Sequence, residues 1–406
     1  MIRRLFLPLL ITLVSLIAVG QSSADRLHAA PIKIEVAEPR YQFAQWIAFS
    51  AHASGSISIT QATVFYQTGS TLPVSQPADR FVAATQVDLA ATIVFSTARP
   101  TAFSIITYWW EIVDQAGNRQ QSELHTFKYI DNRFAWQTLD QGHARIYWYQ
   151  GDSALSNSAA RLVADTLPRL QQQFGGAPPD KLDVYIYATL DDLRSAVELA
   201  GHEWLGGQAR PQLGVVLIAV PPGPEADLQL RRDLPHELTH LMVYLAAYPR
   251  YDAVPAWLDE GLATLNEAEP NPAQAVALQK ALVAGQVPAL ETLCGTLPTD
   301  ATAAMVAYAQ SRGVVQQIVD AYGSTGIQAL LAAYRDGSTC AGGVERGLNT
   351  TLTGLELKWR ASLSPDSGAA TLAKGFGPWL LILAVVSVPL IVMLVGRKPK
   401  SDKMTG

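Results

Sequence analysis

Short segments that alternate apolar and polar residues fill the chain from residue 31 to residue 130. Side chains that point in turn to the two faces of a strand produce this period of two. Turn-prone residues separate the segments, for example at 53–56 and 116–118. About seven such strands in about 100 residues predict an all-β sandwich.

One stretch of this part is similar to a known kind of module. Tyr108-Trp109-Trp110, with VDQAGN after it, resembles the late strand and turn of immunoglobulin-like or fibronectin-like domains. The cysteine pair of an antibody-type domain is not present, so the resemblance implies an immunoglobulin-like sandwich without that disulfide.

The pattern changes between residues 134 and 365, where strands come first and helices follow. Apolar or aromatic segments predict strands, and longer segments with a helical period predict helices that end at glycine or proline. This order of elements indicates an α+β domain. The predicted strands are 144–150, 181–189 and 214–220, and the predicted helices are 153–175, 190–201, 226–248, 256–267, 272–284, 301–322, 326–335 and 352–363.

The N-terminus has the three-part layout of a secretory signal peptide. Arg3 and Arg4 precede an uncharged apolar run over residues 5–19, and small or polar residues follow at 21–24. We expect a signal peptide at 1–24, cleaved after Ala24. An uncleaved membrane anchor is the alternative.

Near the C-terminus, residues 376–395 carry no charge, which is enough to cross about 30 Å of hydrocarbon. Basic residues follow from Arg397, and the positive-inside rule puts such a tail in the cytoplasm. We expect a linker at 366–375, a transmembrane helix at 376–396 and a cytoplasmic tail at 397–406. A buried core helix is the alternative reading. The whole topology is that of a single-pass cell-membrane protein with an extracytoplasmic body.

Charge and cysteine content restrict the partners. The formal net charge is −5, and the body has no basic patch, so we expect no nucleic-acid partner. The two cysteines, Cys294 and Cys340, are too far apart to suggest a metal site. In an oxidising compartment they can form a disulfide, although two separate thiols are the alternative.

The segment His236-Glu237-Leu238-Thr239-His240 carries the candidate chemistry, inside the predicted helix 226–248. Residues four apart lie on one face of a helix, so both imidazoles can bind one metal ion. Zinc accepts two imidazoles and a third protein ligand, with one position left for water. Glu237 lies beside them and can take a proton from that water. The same five residues also occur by chance in helices that bind no metal.

A third ligand is therefore needed, and Glu260 is the candidate. It lies twenty residues after His240, near the start of the next predicted helix, and two helices joined by a loop can pack antiparallel. Alternatively, Glu260 is a solvated acid favoured by the helix dipole. Asp259 suits that ordinary role, whereas Gly261 leaves room for a close approach at Glu260.

The two stretches HELTH and PAWLDEGLA together resemble the gluzincin zinc metallopeptidases, and most closely the peptidase MA-like family. The resemblance covers residues 140–363 and implies a thermolysin-like catalytic domain. It implies that His236, His240 and Glu260 bind Zn²⁺ and that Glu237 is the general base. It also implies that residues 214–222 form the edge strand along which an extended substrate binds.

Two further positions qualify this resemblance. Thermolysin-like enzymes have an aspartate four residues after the glutamate ligand to orient a histidine, but Thr264 stands there, so the orienting group must come from elsewhere. Tyr308 is a candidate donor to the oxyanion of the transition state, although a packed aromatic residue on an amphipathic helix is the favoured reading.

The sequence thus predicts a membrane-anchored zinc metallopeptidase that acts on peptide or protein substrates outside the cytoplasm. A different hypothesis is a cell-surface binding or adhesion protein, in which the β-sandwich recognises a partner and the gluzincin-like domain is catalytically inactive.

Overall fold

The computed structural model describes residues 31–69, 71–96, 99–197 and 206–363. The signal peptide predicted at 1–24 and the membrane helix predicted at 376–396 lie outside these residues, as do the linker and the tail. In the described part of the chain, no helix is long and apolar enough to cross a membrane. The described chain divides into two compact units, the first built mainly from Gln45–Ser96 and Ile106–Phe127 and the second mainly from the residues after Lys128.

Eight strands between residues 33 and 129 form one hydrogen-bonded sheet. Seven of them pair, directly or through β6, with the 23-residue strand β3. The strands are β1 (Lys33–Val36), β2 (Arg40–Gln42), β3 (Trp46–Thr68), β4 (Val74–Pro77), β5 (Ala84–Val94), β6 (Ser104–Asp114), β7 (Arg119–Gln121) and β8 (His125–Tyr129).

This arrangement revises the sandwich prediction, which required two separate sheets. The first half of β3 pairs with β1 and β5, and its second half pairs with β4 and β6. The register shifts between Ser54 and Ile59, where the sequence analysis placed a turn. The strand folds over at this irregularity, so that the Phe49 ring lies 6.1 Å from the Tyr66 ring. A single folded sheet therefore encloses the apolar core that two sheets would share.

A five-stranded sheet forms the base of the second unit, in the order β12-β13-β11-β10-β9. The three central strands β10, β11 and β13 are parallel, and the strands at both edges are antiparallel to their neighbours. Its strands are β9 (Gln137–Gln141), β10 (Ala144–Trp148), β11 (Leu182–Tyr187), β12 (Gly207–Arg210) and β13 (Val215–Ala219).

The edge strand is not the one that the resemblance implied. Strand β13, within residues 214–222, lies second from the edge, and β12 lies outside it. All five residues of β13 are buried, as expected for a strand with neighbours on both sides. The sequence of β12 is GQAR, which has no apolar alternation, so the pattern along the chain does not reveal it.

In the described residues, eight helices follow or cover this sheet, which confirms the α+β class. The longest, α6, contains a break at Gly323 with φ 63°, in the gap between the two helices predicted at 301–322 and 326–335. Helix α7 was not predicted. The helices are α1 (Ser153–Phe174), α2 (Leu190–Ala196), α3 (Ala226–Ala247), α4 (Ala256–Asn266), α5 (Pro272–Ala284), α6 (Ala301–Arg335), α7 (Cys340–Leu348) and α8 (Leu352–Ser362).

Cys294 and Cys340 form a disulfide, with their Cα atoms 5.9 Å apart and a sequence separation of 46 residues. Closing a loop of this length in the unfolded chain stabilises the fold by about 4 kcal/mol on the chain-entropy account. The Cys294 carbonyl also accepts a hydrogen bond from the Ala256 N–H at 3.2 Å. The disulfide therefore fixes a segment that holds the first residue of α4, the helix that carries Glu260.

Candidate metal centre

Helices α3 and α4 bring together the three residues that the sequence singles out as ligands. His236 and His240 lie one turn apart on α3, and their Nε2 atoms are 3.2 Å apart. Oε2 of Glu260, on α4, lies 3.4 Å from the first Nε2 and 3.5 Å from the second. All three side chains are mostly buried, so the three donor atoms face one small volume.

These separations fit a tetrahedral metal ion. Ligand atoms at about 2.0–2.1 Å from a tetrahedral centre lie about 3.3 Å from one another, as the zinc–nitrogen and zinc–oxygen bond lengths require. The three edges of the donor triangle, at 3.2, 3.4 and 3.5 Å, bracket this value. Two imidazoles and one carboxylate also match the donor preference of zinc at sites that keep one position open.

The other nitrogen of each imidazole faces an acid. Nδ1 of His236 lies 3.1 Å from Oε1 of Glu267, and Nδ1 of His240 lies 3.1 Å from Oδ1 of Asp259. The Tyr251 hydroxyl donates to the other oxygen of Asp259 at 2.5 Å. A proton held on each Nδ1 leaves the Nε2 lone pairs directed at the ion site. Glu267 and Asp259 thus orient the two histidines.

This finding answers the question that Thr264 raised and corrects the reading of Asp259. Asp259 does not lie in solvent at a helix start, because its side chain is 15% exposed and contacts His240. Glu267 lies two helical turns after Glu260 and takes the orienting place expected at 264. Thr264 itself is buried.

Pro235 explains how Glu267 reaches His236. Proline has no N–H, so the carbonyl four residues earlier, on Arg231, receives no helical hydrogen bond from it. That carbonyl instead accepts from the N–H of Ala268 at 3.0 Å. The bond attaches the chain just after α4 to the side of α3 and places Glu267 against His236.

Glu237 is buried beside the ligands, with 6% of its surface exposed. Within the described residues its carboxylate has no hydrogen bond or ion pair, and burial raises its pKa. The backbone of β12 packs directly on it, since a Cβ atom added at Gly207 would lie 2.6 Å from Oε1. Only glycine at 207 leaves the carboxylate in this position. A proton acceptor without a protein partner is therefore held next to the candidate ion site.

Tyr308, on α6, also lies in this site. It lines the same pocket as His236 and Glu237, and its ring centroid is 6.3 Å from that of His236. Burial and the nearby Glu260 carboxylate raise the pKa of its hydroxyl well above the usual value, so it stays protonated. Gly261 permits this approach of α6, because a Cβ atom there would lie 2.6 Å from the Ser311 carbonyl oxygen. Tyr308 is thus both packed and directed into the site.

The acids give the centre a strongly negative field. Burial lowers the pKa of His236, but its hydrogen bonds to Glu260 and Glu267 outweigh burial and raise that pKa to about 10. The pKa of Glu260 is lowered in spite of burial, because His240 and His236 stabilise its charge. Protons on the imidazoles therefore serve as counter-ions that a divalent cation can replace.

A pH-dependent stability follows for the protein freed of metal. The folded-state pKa of His236 is raised from 6.5 to about 10. Its contribution to the free energy of unfolding is therefore complete below pH 6.5 and is lost as the pH rises to about 10. We expect the unfolding midpoint of chelator-treated protein to be lower at about pH 10 than at about pH 6, by about 5 °C or more. Zinc-loaded protein is the control, because its histidines are neutral, and it should lack this decline. If the unfolding midpoint of the metal-free protein did not change between these pH values, the strongly negative field at this centre would be contradicted.

A pocket of about 240 Å³ opens at this centre. Its lining includes His236, Glu237, Glu267 and Tyr308, together with Gly207, the first residue of β12, and Gly206 just before it. The remaining lining is polar for the most part, with Arg232 and Asp233 from α3 and Asn271 and Gln274 near α5. The pocket gives a substrate access to the candidate ion site and the Glu237 carboxylate.

A family model described as the peptidase MA superfamily matches residues 162–365, half of the chain. The match confirms the resemblance seen in the two-part motif. No curated protein matches this sequence.

Three solved structures are similar over parts of the chain. OgpA from Akkermansia muciniphila is 12% identical, with a TM-score of 0.21 over 24% of this chain and 27% of that chain, so the match spans about a quarter of OgpA. The sensor domain of the anti-sigma factor RsgI4 from Pseudobacteroides cellulosolvens is 16% identical, with a TM-score of 0.18 over 25% of this chain and 96% of that chain. The purple acid phosphatase PPD1 from yellow lupin is 12% identical, with a TM-score of 0.19 over 51% of this chain and 40% of that chain.

Proposed function

We propose that this chain, which belongs to the peptidase MA superfamily, is a zinc-dependent peptidase that hydrolyses bonds in peptide or protein substrates. One observation carries the proposal. Two imidazole nitrogens and a carboxylate oxygen converge at tetrahedral spacing beside Glu237, whose buried carboxylate has no protein partner in the described chain. This is the donor set and the base that metal-assisted hydrolysis of an amide requires.

His236, His240 and Glu260 are the residues that hold the ion in this proposal. When bound, zinc supplies Lewis acidity, which lowers the pKa of water and polarises a carbonyl. Glu267 and Asp259 keep the imidazoles in the tautomer that presents Nε2 to the ion.

Glu237 performs the proton transfers. Its carboxylate takes a proton from the attacking water as the C–O bond forms, and it gives that proton to the amine nitrogen as the C–N bond breaks. Burial raises its pKa and thereby makes it a stronger base than a solvated glutamate. Tyr308, protonated and directed into the pocket, donates a hydrogen bond to the oxyanion that develops on the carbonyl oxygen.

The domain organisation belongs to the same proposal. A gluzincin-like catalytic domain over residues 134–365 follows the all-β domain over 31–130. The uncharged segment 376–396 anchors the protein in the cell membrane, with the signal peptide 1–24 removed and the tail 397–406 in the cytoplasm. The sequence of the two chain ends supports this topology.

Metal removal tests the proposal on the full-length protein. We expect about one equivalent of zinc in the purified protein and cleavage of members of a peptide library, read by mass spectrometry. A chelator should reduce cleavage to background, and added zinc should restore it. Bound zinc with no cleavage of any peptide would favour the binding or adhesion protein instead. Cleavage that survives complete removal of the metal would exclude the zinc mechanism.

A further inference from the structure

Asp233 is an acid of the pocket that the proposed mechanism does not use. It lies on α3 four residues before Glu237, so the two carboxylates share one face of the helix, one turn apart. Both side chains line the pocket that holds His236. A group bound at Asp233 would therefore lie close to the scissile bond.

The Asp233 carboxylate forms no ion pair in the described chain, and Arg232 and His236 act on it only at longer range. Its Oδ2 atom accepts a long hydrogen bond from the side-chain amide of Gln229, at 3.3 Å. The backbone covers the same oxygen, since a Cβ atom added at Gly206 would lie 2.8 Å from it. No described lysine, arginine or histidine lies within ion-pair distance of it, although the side chain is mostly buried.

Apart from Glu237, the other buried acids of this unit differ in this respect. Asp131 forms an ion pair with Arg133 at 2.6 Å, and Asp259 and Glu267 each face a histidine. Placing a carboxylate in a mostly buried position without a counter-charge costs free energy. Such a group beside a reactive centre is a typical recognition element, which gains its counter-charge from the ligand.

The charged residues that line the pocket also favour a cationic ligand. Asp233, Glu237 and Glu267 line it as acids, and Arg232 is the one arginine or lysine among the lining residues of the described chain. The Nε atom of Arg232 donates to the Glu269 carbonyl at 3.3 Å, so part of its guanidinium is already used. The pocket thus favours a positively charged group over a neutral or negative one.

We propose that Asp233 is a specificity-determining residue that binds an ammonium or guanidinium group of the substrate next to the scissile bond. This inference rests on the proposed peptidase function. Two sources supply such a group, namely a lysine or arginine side chain beside the bond and the free α-amino group of a peptide cleaved at its first residue. Both would form an ion pair with the Asp233 carboxylate.

The test compares matched peptides on the full-length protein. One set is N-acetylated and carries arginine, or neutral citrulline of the same shape, on either side of the cleaved bond. A second set keeps the side chains neutral and has either a free or an acetylated N-terminus. For each pair the ratio of kcat/KM, charged over neutral, is measured in one enzyme preparation, so partial misfolding cancels.

We expect the wild-type ratio to favour the charged member of one set by about 10- to 100-fold, as a hydrogen bond to a charged group implies. Asp233→Asn should bring that ratio close to one. Asp227→Asn, an exposed acid on the same helix, is the control and should keep the wild-type ratio. The set that responds tells whether the group is a side chain or an α-amine.

The possible failures are distinct. Equal rates on charged and neutral peptides, or a preference that survives in Asp233→Asn, would overturn the role of Asp233 and leave the peptidase function standing. Absence of cleavage of every peptide by the zinc-loaded protein would instead refute the function on which the inference depends.

Discussion

Replacing Glu237 by glutamine is expected to reduce peptide hydrolysis by about 10²- to 10⁴-fold, the range that a general base contributes. Glutamine has the same shape but cannot accept the proton of the attacking water. The substitution should leave the metal site intact, because Glu237 is not one of the three converging donors. Single-turnover cleavage of a peptide that the wild type cleaves is the measurement, with zinc content determined on the same sample.

The stability of Glu237→Gln separates loss of chemistry from loss of fold. The native carboxylate is buried and has no hydrogen-bond partner in the described chain, so its ionised form is costly there. A neutral amide removes that cost, and we expect an unfolding midpoint at or above that of the wild type. Undiminished turnover in a zinc-loaded variant would exclude Glu237 as the base.

The part of the site predicted from the sequence is the part that local geometry determines. His236 and His240 share a helix face at a spacing that any α-helix reproduces, and Glu237 follows from the same helix. Predicting Glu260 as a ligand required more information, because its position near the histidines depends on how α4 packs on α3. The resemblance to a known two-part motif supplied that packing, which periodicity alone does not contain.

The orienting acids were missed because their positions depend on tertiary contacts. Glu267 lies just after the end of α4, where the helical period no longer predicts the direction of a side chain. It reaches His236 because the Arg231 carbonyl, left without a partner by Pro235, accepts from Ala268. A proline in the middle of the helix was the available signal. It indicated a free carbonyl four residues earlier but not which group would bind it.

The fold also has parts that the sequence predicted and parts that it did not. The α+β order and the three central strands follow from apolar runs, whereas strand β12 has no apolar pattern and was absent from the prediction. Yet Gly207 of β12 packs directly against the Glu237 carboxylate. In the first unit, one 23-residue strand was read as two, because Gly55 and its neighbours resemble a turn in sequence. Folding β3 back on itself is determined by its partners on either side.

Removing the Glu260 side chain is expected to have the second large effect, on metal affinity. Glu260→Ala leaves two imidazoles and deletes the only charged donor of the candidate site. Structural sites with four ligands bind zinc with a free energy of about 10–16 kcal/mol, so each ligand contributes about 3 kcal/mol. Loss of one ligand should therefore weaken zinc binding by at least about a hundredfold. Competition with a chromophoric chelator measures the dissociation constant directly.

Glu267→Gln provides the graded comparison for this result. Glu267 contacts His236 through Nδ1 and not the ion site, so its substitution should weaken zinc binding less than that of Glu260, by about 10- to 100-fold. Glu291→Gln, an exposed acid on the same domain, should bind zinc as the wild type does. If Glu260→Ala retained wild-type affinity while Glu267→Gln lost it, a metal site formed by His236, His240 and Glu260 would be refuted.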